Sequence, residues 1–136
     1  MIWLVDANVL SEPTRPDPVP TVVDWLRRNE ATLVVDPVIL GELRFGILIL
    51  PEGGRRARLE AWFVRGVERL RCLPWDAETG LRWAQLLADL RRSGLAMPVK
   101  DSMIAATALR HDLGVATRNV RDFEKAGVRL VDPFVG

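Results

Sequence analysis

The amino-acid sequence predicts an α/β fold: a mostly parallel central sheet with helices on both faces. Short apolar runs alternate with longer segments of helical periodicity along the whole chain, the pattern of parallel strands joined by crossover helices. The first of those runs, residues 2–5, is β-branched and aromatic without polar alternation, as suits a strand buried on both faces. A third observation concerns where that run ends. In MIWLVDANVLSE the strand leads straight into Asp6. In sheets of this class, ligands bind beyond the carboxyl ends of the strands.

The elements follow in order. Behind the first strand, ValLeuSerGlu suggests a short helix that Asp6 or Asn8 would cap. Thr21 to Arg28 reads as an amphipathic helix burying Val22, Val23, Trp25 and Leu26, and ThrLeuValVal (32–35) as a second strand. Asp36-Pro37 then starts a helix running to about Leu50, with Asp at the N-cap and Pro at the first helical position. ProGluGlyGly breaks the chain. From Arg55 to Leu70 the residues Leu59, Trp62, Phe63, Val67 and Leu70 recur at helical spacing. Residues 71–74 suggest a third strand, and Asp76 to Arg92 a helix with Leu81, Ala84, Leu87 and Ala88 inward. Pro98 precedes a helix from about Lys100 to Arg110, 114–117 is a fourth strand, 121–125 a short helix and 128–131 a last strand.

A chain of 136 residues is long enough for one domain with a full core, and we read 1–136 as that domain. No apolar run is long enough to span a bilayer, and the N-terminus lacks a basic and apolar leader. Cys72 has no cysteine to pair with, and no Cys/His cluster exists, so the expected compartment is a reducing cytoplasm. Net charge is only +1, yet 17 of the 19 cationic residues are arginine, which binds phosphate bidentately. A GC-rich genome would give the same bias, so composition leaves nucleic acid open.

Four acids stand out. Asp6 is one, either a helix cap or a strand-end functional group. Glu42 lies in a helix that is apolar nearly all round and so expected to be buried on most sides, where an acid is either part of a solvent-facing stripe or held by a partner. Asp101 starts an apolar, small-residue helix and favours its dipole in any case. Asp122 follows Asn119 in AlaThrArgAsnValArgAspPhe, where the two approximate a capping box. Each has an ordinary structural reading, so the functional one rests on the set. In an alternating sheet Asp6 and Asp122 follow strand ends, and Glu42 and Asp101 lie on helices beside them. Carboxylates converging there raise each other's pKa unless a cation holds them together. Oxygen-only ligation favours a hard ion, Mg²⁺ or Mn²⁺.

The ordered set VDANVLSE, GELRFGI, KDSMIAATALRH and ATRNVRDF, ending in ValAspProPhe, closely resembles the PIN-domain ribonucleases of the VapC and FitB type. These are toxins of bacterial toxin–antitoxin pairs. The resemblance spans essentially the whole chain. It implies an acidic metal site on Asp6, Glu42, Asp101 and Asp122, with Asn8, Thr117 and Asn119 in polar supporting positions. It implies further a metal-dependent endoribonuclease leaving 5′-phosphate and 3′-hydroxyl ends, a cognate antitoxin, an RNA substrate, a homodimer, and contact with DNA only through the antitoxin. One position departs from the pattern: Ala7 stands where the family usually has Thr or Ser.

Two other classes are weighed against this one. A phospho-acceptor domain needs paired acids near the first strand and a strand-end Lys, an arrangement this chain lacks. A non-catalytic PIN-like binding module remains, because loss of the hydroxyl at Ala7 suits it. With His111 as the only histidine, a two-histidine acid–base ribonuclease is unavailable. The arginines at 55, 56, 58, 65 and 69 are either a phosphate-facing surface or a solvated helix face. The resemblance implies an apolar antitoxin segment in a groove between the helix at 20–28 and those at 37–70, where Leu40, Phe45, Leu48 and Trp62 either line the groove or are spent on the core.

Overall fold

The strands β1 (Trp3–Val5), β2 (Leu33–Val35), β3 (Arg71–Cys72), β4 (Gly114–Ala116) and β5 (Arg129–Val131) form one sheet in the order β3-β2-β1-β4-β5. Every pairing is parallel. The computed structural model describes residues 1–135. Parallel neighbours need long crossovers, and the helices α1 (Ala7–Leu10), α2 (Pro20–Arg28), α3 (Pro37–Leu48), α4 (Gly54–Arg65), α5 (Ala77–Arg92), α6 (Val99–His111) and α7 (Val120–Glu124) supply them. The fold class expected from the alternation is the one observed.

The core lies where the central strands meet these helices. Leu4, Val5, Val35 and Val115 are fully buried in the sheet, under Val9, Val22, Ile39, Ile104 and Phe123 from the helices. The outer strands are short, and Arg71 and Arg129 keep them exposed and charged, which discourages edge-to-edge pairing. Among the described residues no helix is long and apolar enough to cross a membrane.

Three expectations are corrected. The helix expected over 55–70 ends at Arg65. Gly66 breaks it, and Val67–Arg69 form a separate 3-10 turn that still buries Val67. On α5 the inward face is not the one expected. Leu81 is 74% exposed and Leu87 is also exposed, whereas Thr79, Leu86 and Leu90 are buried. Positions 79, 83, 86 and 90 have the same helical spacing as the stripe through Leu81. Polar contacts select between them, since the Trp83 indole donates to Ser102 Oγ at 2.9 Å and Asp76 caps Thr79 N–H at 3.0 Å. The helix α3, apolar nearly all round, buries only one stripe, Ile39, Leu43 and Ile47, and leaves Phe45, Leu48 and Ile49 exposed.

One glycine fixes the strand pairing that frames the site. Trp3 of β1 lies opposite Gly114 of β4, and a Cβ at Gly114 would meet the Trp3 ring at 2.3 Å. The ring also makes an edge contact with Trp25, at 5.9 Å between centroids. Gly114→Ala therefore forces the ring or the strands apart. We expect a loss of about 1–3 kcal/mol, read as a lower urea midpoint at unchanged slope.

Candidate metal centre

From β1 the sheet grows in two directions, to β2 on one side and to β4 on the other. The crevice between β1 and β4 is the switch point at which open parallel sheets take ligands. The first residues past the three central strands are Asp6 after β1, Asp36 after β2 and Thr117 after β4, all buried.

Asp6 is both the helix cap and the strand-end group. Its Oδ1 accepts the Ala7 N–H at 2.8 Å, starting α1. Its Oδ2 accepts the Thr117 hydroxyl across the crevice at 2.7 Å and the Asn8 amide at 3.3 Å. Asn8 Oδ1 accepts the Arg118 N–H, and Thr117 Oγ1 accepts the Asn119 N–H, so these polar residues tie the ends of β1 and β4 together. Asn119 precedes α7 but makes no side-chain cap there. Burial raises the Asp6 pKa above the usual carboxylate range and the charge of Glu42 adds to this, against the hydrogen bonds from Thr117 and Ala7.

Asp101 is the third residue of α6 and is 4% exposed. Its pKa is pushed up to about 6, first by burial and then by the charges of Asp6, Asp122 and Glu42, with Lys100 opposing. The four acids therefore share one electrostatic neighbourhood. They are not drawn into contact. Glu42 Oε2 is 2.7 Å from Lys100 Nζ, and Asp122 is 3.6 Å from Lys125 Nζ. Among the described residues, no three acidic, His or Cys side chains stand close enough together to hold an ion in this arrangement.

The donor chemistry nonetheless fits a hard cation. All four side chains offer oxygen only, and Glu42 Oε1 is a buried acceptor without a donor among the described residues. A buried, doubly anchored Asp6 and a buried Asp101 are in place, while Glu42 and Asp122 would turn from their lysines. Ala7 carries no hydroxyl, and what it offers the site is its backbone N–H.

Two further polar residues near these acids carry no mark of their partners in the sequence. Lys100 reads as a helix start, and its reach to Glu42 spans 58 residues. Asp36 is the cap its sequence position suggests, accepting the Ile39 N–H at 2.9 Å. Its other oxygen accepts the Thr107 hydroxyl at 2.6 Å, and burial raises its pKa. The sign of it was present: a second apolar strand ending on an Asp, as the first does. His111 lies in the last turn of α6, at the opposite end from Asp101.

Beside the acids runs a groove around Trp62. One hollow of about 500 Å³ is lined by Pro13, Thr14, Pro16, Arg55, Arg58, Leu59 and Trp62. An adjoining one of about 300 Å³ extends from Leu59 and Trp62 past Ile47 to Asn8 and Glu42. Of the four apolar residues expected there, Trp62 lines it, Leu40 packs on the core, and Phe45 and Leu48 lie exposed outside these hollows. Arg56 is committed to Glu60 at 3.1 Å, so the arginine face of α4 divides into paired and groove-lining members.

A five-stranded parallel sheet with buried carboxylates gathered at its switch point defines an α/β protein with an acidic strand-end site. The chain belongs to the PIN domain family, whose model matches residues 3–128. It is 35% identical over 136 residues to the VapC ribonuclease Y4jK of Sinorhizobium fredii, covering 96% of each chain. It is 34% identical to the toxin FitB of Neisseria gonorrhoeae, over 96% of this chain and 97% of the relative. The crystal structure of FitAcB from Neisseria gonorrhoeae superposes with a TM-score of 0.92 at 33% identity, over 98% of this chain and 99% of that one.

Proposed function

We propose that the protein is an endoribonuclease dependent on Mg²⁺ or Mn²⁺, acting as the toxin of a toxin–antitoxin pair. The observation that carries this reading is the shared neighbourhood of Asp6, Glu42, Asp101 and Asp122 at the sheet's switch point, in a chain similar along its whole length to a VapC ribonuclease. These four residues would hold the ion. When bound, it activates water and stabilises negative charge on a phosphodiester. The chain's own parts in this are positional. Thr117 and the Ala7 N–H fix the Asp6 carboxylate, and the start of α6 presents Asp101 beside it. Arg55 and Arg58, at the rim of the groove, offer bidentate contacts to RNA phosphates.

A cytoplasmic ribonuclease would harm its host when free, so the reading includes a separately encoded antitoxin. An apolar helical segment of that partner would lie along the groove at Leu59 and Trp62 and approach Glu42 and Asn8. The toxin would pair as a homodimer and meet DNA only through the antitoxin. The alternative, a non-catalytic binding module, draws on Ala7 and on the separation of the carboxylates.

Metal-dependent stabilisation separates the two. Ligation stabilises only the folded state, by about 2.7 kcal/mol at a hundredfold excess over Kd. Millimolar Mn²⁺ is expected to raise the melting temperature of the wild type clearly and that of Asp6→Asn little, with cleavage of RNA oligonucleotides following the same order. A melting curve indifferent to Mn²⁺, with no cleavage, would favour the binding module. An equal response in Asp6→Asn would put the ion elsewhere.

A further inference from the structure

We propose that Lys100 is the resident counter-charge of the acidic site and antagonises divalent-cation binding by holding Glu42. The inference rests on the proposed metal site and concerns what regulates its occupancy. Lys100 is the second residue of α6, immediately before Asp101, and its ammonium reaches across to Glu42 Oε2 on α3 at 2.7 Å. Among the described residues Glu42 Oε1 has no hydrogen-bond partner, and Lys100 is the single donor to this carboxylate. Asp101 and Asp6 act on the same ammonium, which places it in the field of three of the four acids.

As a stabilising contact the pair is weak. The Lys100 side chain is 51% exposed, and ion pairs of that kind contribute between about 0 and 1 kcal/mol. Its effect on the site's potential is larger than its effect on the fold. An ammonium carries one charge and three donors, and here it satisfies one oxygen of one carboxylate. A divalent cation arriving at the same acids must take Glu42 from Lys100 and enter a potential already reduced by one charge. Removing that charge should therefore tighten the metal. A merely structural tie, holding Glu42 ready for the ion, makes the opposite forecast.

The test is calorimetric titration of the metal-free full chain with Mn²⁺, using wild type, Lys100→Met and Lys100→Arg. Lys100→Met keeps the length of the stem and removes the charge. At low salt its Kd for Mn²⁺ should fall about tenfold, the scale of one charge a few ångströms away in a largely aqueous field. The gap should narrow in about 1 M KCl, where screening acts within about 3 Å. Lys100→Arg should bind as wild type does. Equal or weaker binding by Lys100→Met, where Asp6→Asn has lost the wild-type Mn²⁺ site, overturns the inference and leaves the metal site standing. Absence of Asp6-dependent Mn²⁺ binding in both wild type and Lys100→Met overturns the site reading and the inference with it. If Lys100→Met fails to melt cooperatively, Lys100→Gln serves with the same expected direction.

Discussion

Asp101→Asn is expected to lower RNA cleavage by about a hundredfold or more while the fold persists. The substitution keeps the volume of a buried side chain and deletes its charge. A metal's stabilisation of a phosphoryl transition state is worth several kcal/mol, and each ~1.4 kcal/mol is tenfold in rate, so a weakened ion costs two orders of magnitude or more. Stability should move the other way. In the metal-free protein the Asp101 carboxylate is opposed by burial and by Asp6, Asp122 and Glu42, and a neutral amide escapes that opposition. An inactive variant that melts no lower than wild type is the expected pairing, read from multiple-turnover cleavage beside thermal melting. Asp6→Asn should lose activity equally but stability as well, because its Oδ2 accepts from both Thr117 and Asn8 and an amide nitrogen cannot. Asp122, exposed enough to pair with Lys125, should tolerate Asn best. Full activity in Asp101→Asn would remove that residue from the site.

Much of this architecture is legible in residue pattern because parallel sheets demand it. A strand buried on both faces must be apolar throughout, so LeuVal at 4–5 and ValVal at 34–35 declare themselves. Helix faces are a different matter. On α5 two stripes satisfy the same spacing, and the choice is made by a tryptophan reaching Ser102 on a helix 19 residues away. Periodicity alone does not contain that contact. Gly66 is likewise ambiguous in sequence, since the apolar rhythm continues through it in a 3-10 turn.

The acids divide in the same way. Asp6 is visible because a carboxylate directly after a buried strand needs a partner, and Thr117 provides one. Asp36 satisfies the same condition, but its capping of Ile39 is by itself a sufficient reason for an Asp there, so the Thr107 partner is not legible in sequence. Convergence of the four acids follows from topology, since β1 and β4 become neighbours only when the sheet order is known. The orientation of Glu42 is least legible. It depends on Lys100, and nothing in a helix-start lysine announces a carboxylate 58 positions earlier.

The same crowding gives the metal-free protein an unusual dependence on pH. Stability should fall as pH rises from about 4 to about 6. Asp101 has a folded pKa of about 6 against an ordinary 3.8, so between those values the folded state binds more protons than the unfolded one. Stability linked to that proton is complete below the unfolded pKa and lost as pH passes through the folded one. Asp6 and Asp36, both raised by burial, contribute with the same sign. Asp76, lowered by its Thr79 hydrogen bonds, contributes with the opposite sign but only at more acid pH. At ~1.4 kcal/mol per pKa unit, Asp101 alone accounts for on the order of 2–3 kcal/mol. Urea midpoints measured in chelator from pH 4 to 8 should therefore decline where acid denaturation ordinarily makes them climb, and Asp101→Asn should flatten the decline. Mn²⁺ should reverse it above about pH 6, because the charged carboxylates that destabilise the metal-free fold are the form that ligates. A wild-type profile that is flat or rising over this range, and identical in Asp101→Asn, would mean that these acids do not share a buried field. The strand-end carboxylates would then be caps and nothing more.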